Sequence, residues 1–428
     1  MKEPVSCAGY QQLEEIRLSR RNVLAGSLLG LLGWPAASSF AQVSFNSDSA
    51  EADRDVVIVI FMRGGMDGMH AVPPIGEDEY YKLRPNLALP KSGNDRVIRL
   101  NDLFGLHPSM KNLFPFFEMG ELAVLHAVGS FDQTRSHFEA MNTMERGLAG
   151  GSAGDADGWI SRYLRSTRSK DDSPLRAVAL TSTLPDSLVG ATHAMALPDL
   201  TSYRLAVPDD IKDKYVSQLE KLYAKSPLAI GESGQDTLRV MKKLEKLDPR
   251  AYSAANSAQY PDSPLGQAMK QAALLVKAEV GLEVACVDAG GWDSHVAQGG
   301  TTGYVATLLM DLADAMAAFA TDLGPKMNRV TVVAMTEFGR RAYENAGFGT
   351  DHGRASAFFA LGQGVNGGKV ITQWPGLSPS QLEDGDLKVT TDYRDILSEL
   401  ITHRLRANPE PVFGARRAKP LGVFSAIG

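Results

Sequence analysis

The stretch DVVIVIFM at 55–62 constrains this chain more than any other. It has almost no polar alternation, so a strand formed there must be covered on both faces. Strands of that kind belong to parallel sheets with helices on either side. The runs at 121–128, 281–287 and 330–335 have the same character, and 357–361 reads as a strand returning beside them. Helical apolar spacing fills the intervals at 108–118, 263–278 and 303–323, and a last helix is expected at 392–405 with Asp392 as its cap. The alternation predicts an α/β fold, an α/β/α sandwich with a mostly parallel central sheet. From 185 to 259 the pattern changes to charged helices at 208–224 and 234–247 with little strand signal, which reads as a helical insertion. One unit from 55 to 428 is long enough to hold all of this around a single core.

Residues 1–41 read as a targeting segment. Ser19-Arg20-Arg21-Asn22-Val23-Leu24 places paired arginines before a modest apolar run, and Ser39-Phe40-Ala41 offers small residues for cleavage. This is the pattern of a twin-arginine signal, so the expected location is periplasmic or secreted. The apolar run is too short to span a bilayer, and no transmembrane anchor is expected once the signal is removed. Residues 42–54 are polar and expected to form a disordered leader. Removing 1–41 also removes Cys7 and leaves Cys286 alone, which excludes an internal disulfide. Cys286 lies inside an apolar strand and reads as a buried, inert thiol. A formal charge of −6 and no dense Lys/Arg block exclude a nucleic-acid surface.

Open α/β sheets place their ligands beyond the carboxyl ends of inner strands. Several chemistry-bearing residues fall there. After the 330–335 run come Glu337 and, past a glycine-containing loop, Asp351 and His352, bracketed by Gly349 and Gly353. After 281–287 the run VDAGGWDSH holds Asp288, Asp293 and His295, a spacing from which carboxylates and an imidazole can reach one metal. After 55–62 the run RGGMDG offers Arg63 to an anion and Asp67 to a metal. Past 121–128, Thr134-Arg135-Ser136-His137 opens a helix, with Thr134 suited to the N-cap. There a hydroxyl and the helix dipole could hold or attack an anionic group. Each set has a structural alternative: turn-capping aspartates, a Glu337 paired with Arg340 or Arg341, and a plain N-cap. His70 is near enough to Asp67 to join it, while His107, His126, His193 and His403 belong to no constellation.

FMRGGMDGMHAVPP, LRPNLALP, TRSHFEAMNTMERG, GGWDSH and MTEFGRRAYENAGFGTDHG, in this order, resemble domain-of-unknown-function family 1501. That resemblance implies the alkaline phosphatase and sulfatase-like superfamily, with an α/β/α sandwich, two divalent metals and a Ser/Thr-type nucleophile. Ser136 or Thr134 would stand at the nucleophile's place, and Asp288 or Asp293 with His295 would match the superfamily's Asp…His pair. Glu337 would stand where that superfamily has an Asp-His pair, and His352 at its late histidine. Arg63 stands where a ligating aspartate is usual, with Asp67 four residues on, and Phe338 stands where a histidine is usual. Those departures imply one metal or none. The expectation is an exported, metal-dependent hydrolase of a phosphate or sulfate ester. It would take Zn, Mn, Ca or Mg, with Arg63 and Arg135 stabilising an anionic small molecule or sugar ester. The alternative is a non-catalytic periplasmic binding or assembly protein that keeps the fold and meets a second exported protein.

Overall fold

Alternate side chains of the first strand, β1 (Val56–Met62), enter two different cores, which is how an unbroken apolar run satisfies both faces of a sheet. Ile58, Ile60 and Met62 join one core, Val57, Val59 and Phe61 the other. The computed structural model describes residues 55–150, 157–168, 173–191, 194–226 and 229–426. The expected signal segment, the 42–54 leader and His193 lie outside them.

The remaining strands are β2 (Ile98–Arg99), β3 (Gly105–Leu106), β4 (Leu122–Gly129), β5 (Ala177–Ala179), β6 (Ala194–Ala196), β7 (Val284–Ala289), β8 (Val330–Met335), β9 (Ser356–Leu361), β10 (Lys369–Ile371) and β11 (Thr391–Asp392). Nine of them make one sheet in the order β10-β4-β9-β8-β1-β7-β5-β6, with β11 also on β4, while β2 and β3 pair separately. Only β9 runs against its neighbours, β8 and β4, and every other pair in the large sheet is parallel. The carboxyl ends of β1, β4, β7 and β8 therefore share one edge, where β9 begins.

Among the described residues the main helices are α1 (His137–Glu145), α2 (Trp159–Ser166), α3 (Asp209–Ala224), α4 (Ala229–Leu247), α5 (Pro264–Lys277), α6 (Tyr304–Leu323) and α7 (Tyr393–His403), of which α3 packs on α4 in a small cluster of its own. The expected cap holds at α7, where Asp392 accepts from Arg394 N, and Ser263 likewise caps α5, accepting from Gly266 N. By length and composition alone the α6 segment could cross a membrane. Its residues Leu309, Leu312, Met316 and Phe319 are fully buried in the first core.

Four sequence expectations are corrected. The 108–118 helix is a 3-10 turn, Pro108–Leu113, followed by the short helix Phe114–Glu118. Pro115 in the first turn of the second piece has no N–H to continue the first. The 185–259 region does contribute a strand, β6, parallel to β5, too short to leave a periodic signal. Its second helix, α4, starts at Ala229, ahead of the expected 234. The N-cap of α1 is Ser136, not Thr134, whose hydroxyl donates to Glu139 Oε2 at 2.6 Å.

Candidate metal centre

Arg340 holds the site's loops together. Its side chain is buried, and its guanidinium donates to the carbonyls of Gly65 (2.6 Å), Thr350 (3.0 Å), Trp292 (3.0 Å) and Gly64, and to Asp293 Oδ1 at 2.8 Å. The loops after β1 and β7 and the loop before β9 are thereby fixed to the segment after β8. Gly64 allows a close approach: at φ +119, a Cβ there would lie 2.7 Å from Asp293 N. Gly349 and Gly353 likewise let backbones touch, but against the carbonyls of His295 and Arg340, not against a bound group.

Three imidazoles converge on Asp293 Oδ1 at this edge. His137 Nε2 and His295 Nε2 each lie 2.9 Å from His352 Nε2. Asp293 Oδ1 lies 2.9 Å from His295 Nε2, 3.1 Å from His352 Nε2 and 3.4 Å from His137 Nε2. His137, Asp293 and His352 each bring one ligand atom within 4.8 Å of the others, a group that could hold a metal ion.

The opposite nitrogens are all occupied. His137 Nδ1 faces Glu337 Oε1 at 2.7 Å, His295 Nδ1 faces Asp351 Oδ1 at 3.0 Å, and His352 Nδ1 faces the Arg135 carbonyl at 2.8 Å. Each acceptor assigns the proton to Nδ1 and turns the Nε2 lone pair toward the centre, the arrangement around metal-bound histidines. Donors about 2.0–2.2 Å from one tetrahedral ion would be roughly 3.3 Å apart, close to the separations within the set His137, Asp293 and His352, while His295 stands outside that set, against Asp293 and His352. Unprotonated nitrogens this close repel unless a cation or a proton lies between them. Three carboxylates, those of Asp293, Glu337 and Asp351, surround the histidines, with Arg340 bonded to Asp293 and Arg341 acting on Asp351, so the cluster keeps a negative balance that a cation would offset.

Burial raises Asp293, but the hydrogen bond and charge of Arg340, with the imidazoles around it, outweigh that and hold the carboxyl well below the usual range. The hydrogen bond to Glu337 raises His137, whereas desolvation lowers His352. His295 lowers Asp351 by hydrogen bonding.

The expected site residues thus separate by position. Asp293, His295 and His352 face the centre. Glu337 and Asp351 stand behind histidines: Glu337 is buried and also accepts from Gly64 N at 2.8 Å and Thr336 Oγ1 at 3.1 Å, and Asp351 also accepts from Asn345 Nδ2 at 3.0 Å. Asp288 is drawn off by Arg63, whose Nε lies 2.8 Å away, and Arg63 also makes two bonds to Glu145 at 3.1 and 3.2 Å. That guanidinium is already matched by two carboxylates and is not a free anion clamp. Asp67 is remote from the ligand set by bonding: buried, it takes Arg84 at 2.6 Å and 3.1 Å and Gln298 Nε2 at 2.8 Å. Arg135 reaches Asp386 at 2.6 Å. Ser136 caps α1 without a side-chain hydrogen bond to the helix, immediately before His137.

Sequence reasoning took His137 only as a neighbour of the anion site. Its signal was present: the first helical residue after the carboxyl end of an inner strand, on the same edge as the other loops. His70, His107 and His126 are core groups, His70 with its Nε2 3.2 Å and His107 with its Nε2 3.1 Å from the Gly300 carbonyl and His126 with its Nε2 3.0 Å from that of Val72, while His403 is half-buried. Cys286 is buried, and burial pushes its thiol up.

No curated protein matches this chain. The family model described as "Protein of unknown function (DUF1501)" matches residues 54–424, and the chain belongs to that family.

Proposed function

We propose that this protein is an exported, single-metal hydrolase of a phosphate or sulfate ester, with His137, Asp293, His295 and His352 as ligands. The convergence of three Nε2 lone pairs on one carboxylate oxygen, each ring held through Nδ1, supports the reading most. A nitrogen-rich set with one carboxylate favours Zn²⁺ or Mn²⁺ over the oxygen-preferring Ca²⁺ and Mg²⁺. Such an ion supplies a Lewis acid for the ester oxygen and a lowered pKa for water. Ser136 is the anion anchor or nucleophile. It sits at the N-terminus of α1, where first-turn N–H groups and the helix dipole favour negative charge. The paired-arginine segment at 20–21 supports export.

One observation favours the rival, a non-catalytic assembly protein. Phe138, Val296 and Phe348, exposed by 84%, 71% and 57%, sit beside the ligand-bearing residues and give the mouth an apolar rim suited to a second protein.

Elemental analysis of protein purified without chelator tests the metal, and turnover of an aryl phosphate and an aryl sulfate tests the chemistry. The expected result is about one Zn or Mn per chain and turnover that chelation abolishes. Ser136→Ala should lose turnover while keeping the metal. A stable, metal-free protein that binds no added Zn²⁺ or Mn²⁺ would overturn the reading. Bound metal with no turnover of any ester would favour the assembly protein.

A further inference from the structure

A cavity of about 900 Å³ opens beside the β2–β3 hairpin, in the excursion that follows β1. Four cations line it, Lys91, Arg96, Arg99 and Lys111. The one lining carboxylate, Asp102, is already held by Arg99. Lys91 rests over the Tyr81 ring at 4.7 Å, and Arg96 reaches only the Gly93 carbonyl at 3.4 Å. Lys111 has no ion-pair partner among the described residues. The chain is net negative, so this concentration of unneutralised positive charge is local and repels itself. A cavity of this volume lies within the range of small-ligand sites. Ile75, Val97 and Phe114 give it apolar walls.

We propose that this cavity binds an anionic polysaccharide segment, separately from the metal centre. Spaced carboxylates or sulfates would meet Lys91, Arg96 and Lys111, and the CH faces of sugar rings would lie on the apolar walls. A nucleic acid fits less well, because single strands need open aromatic faces for stacking. Phe114, the one aromatic lining the cavity, is stacked on Phe117 with ring centroids 6.3 Å apart. Tyr81, nearby, lies under Lys91. The proposal does not depend on the metal centre holding an ion or on any turnover.

The test is titration of the purified protein with fluorescently labelled oligosaccharides at low salt, read by anisotropy. A sulfated heparin fragment and a carboxylated polygalacturonate fragment distinguish the two sources of charge. Neutral dextran and a single-stranded oligonucleotide of matched charge are the comparisons. At least one anionic fragment should bind, with affinity that falls as salt rises. The double variant Arg96→Gln/Lys111→Gln should bind about tenfold more weakly and show a shallower salt dependence. Exchange of the same positions for the other cation, Arg96→Lys/Lys111→Arg, should retain binding within about twofold of wild type, on the same electrostatic argument. These side chains are exposed, so folding should be unchanged, and an unchanged Tm checks that. Dextran or the oligonucleotide binding as tightly as the anionic glycans would overturn the proposal. So would undiminished binding by the double variant, or no binding by either anionic fragment.

Discussion

Arg340→Met gives the sharpest test of how this site is assembled. Methionine roughly fills the space of the side chain but donates nothing, so the carbonyls of Gly64, Gly65, Trp292 and Thr350 and the carboxylate of Asp293 all lose a donor. Removing one partner of a buried ion pair costs about 3–5 kcal/mol, and each carbonyl left unpaired adds about 1–3 kcal/mol unless water reaches it. Asp293 is about half exposed, at 46%, so its share belongs near the low end, and water can satisfy some carbonyls. A loss on the order of 4 kcal/mol is expected in chelator-treated protein, measured by urea unfolding with tryptophan fluorescence. The metal then makes the prediction specific. Arg340 places a positive charge on the same oxygen that would meet the ion. Its removal should let Zn²⁺ stabilise the variant more than the wild type. At about one hundred times Kd the ion contributes about 2.7 kcal/mol to a protein that binds it only when folded. A loss below about 1 kcal/mol without metal would show that Arg340 does not hold these loops. A large loss that Zn²⁺ repairs no better in the variant than in the wild type would detach Asp293 from the metal.

Two further outcomes follow from named contacts. Glu337→Gln and Asp351→Asn should each weaken metal affinity about 10–100-fold, as removal of a hydrogen-bond partner from a ligating histidine does. His352→Ala should cost more, and competition with a chromophoric chelator orders the three. Buried His70, His107 and His126 should make the fold acid-sensitive. Burial is the main cause that lowers them to about 3, about 4 and about 4. Above an unfolded pKa of about 6.5 neither state binds these protons, and below it only the unfolded chain does, so stability falls as pH drops from about 6.5 toward 4. Three such groups set a limiting slope of about 4 kcal/mol per pH unit, and His126→Gln should remove about one third of it in urea unfolding at a series of pH values.

Strands β1, β4, β7 and β8 were legible because each is a largely apolar run of strand length, the signal of a strand covered on both faces. Their shared carboxyl edge is where Asp293, His295 and His352 come together. Two things were not legible, for different reasons. β6 is three residues long, below the length at which periodicity can register. His137 follows β4, which β9 and β8 separate from β1 in the sheet order, so nothing local in TRSHF ties it to GGWDSH or TDHG. The confusion of Glu337 and Asp351 with ligands has a third cause. Sequence position shows which carboxylates and imidazoles share an edge, but a histidine presents two nitrogens, and the atom that faces inward depends on what the other bonds. In this chain both carboxylates were placed at the right edge and on the wrong side of the ring. Their position has a functional consequence: carboxylates at Nδ1 make His137 and His295 better donors at Nε2. His352 has only a backbone carbonyl there, and desolvation lowers it, whereas the bond to Glu337 raises His137. A metal held by His137, Asp293 and His352 would then be gripped more firmly by His137 than by His352. The His352 side would be the more readily displaced, and the TDHG loop would be the natural point of entry for a substrate oxygen.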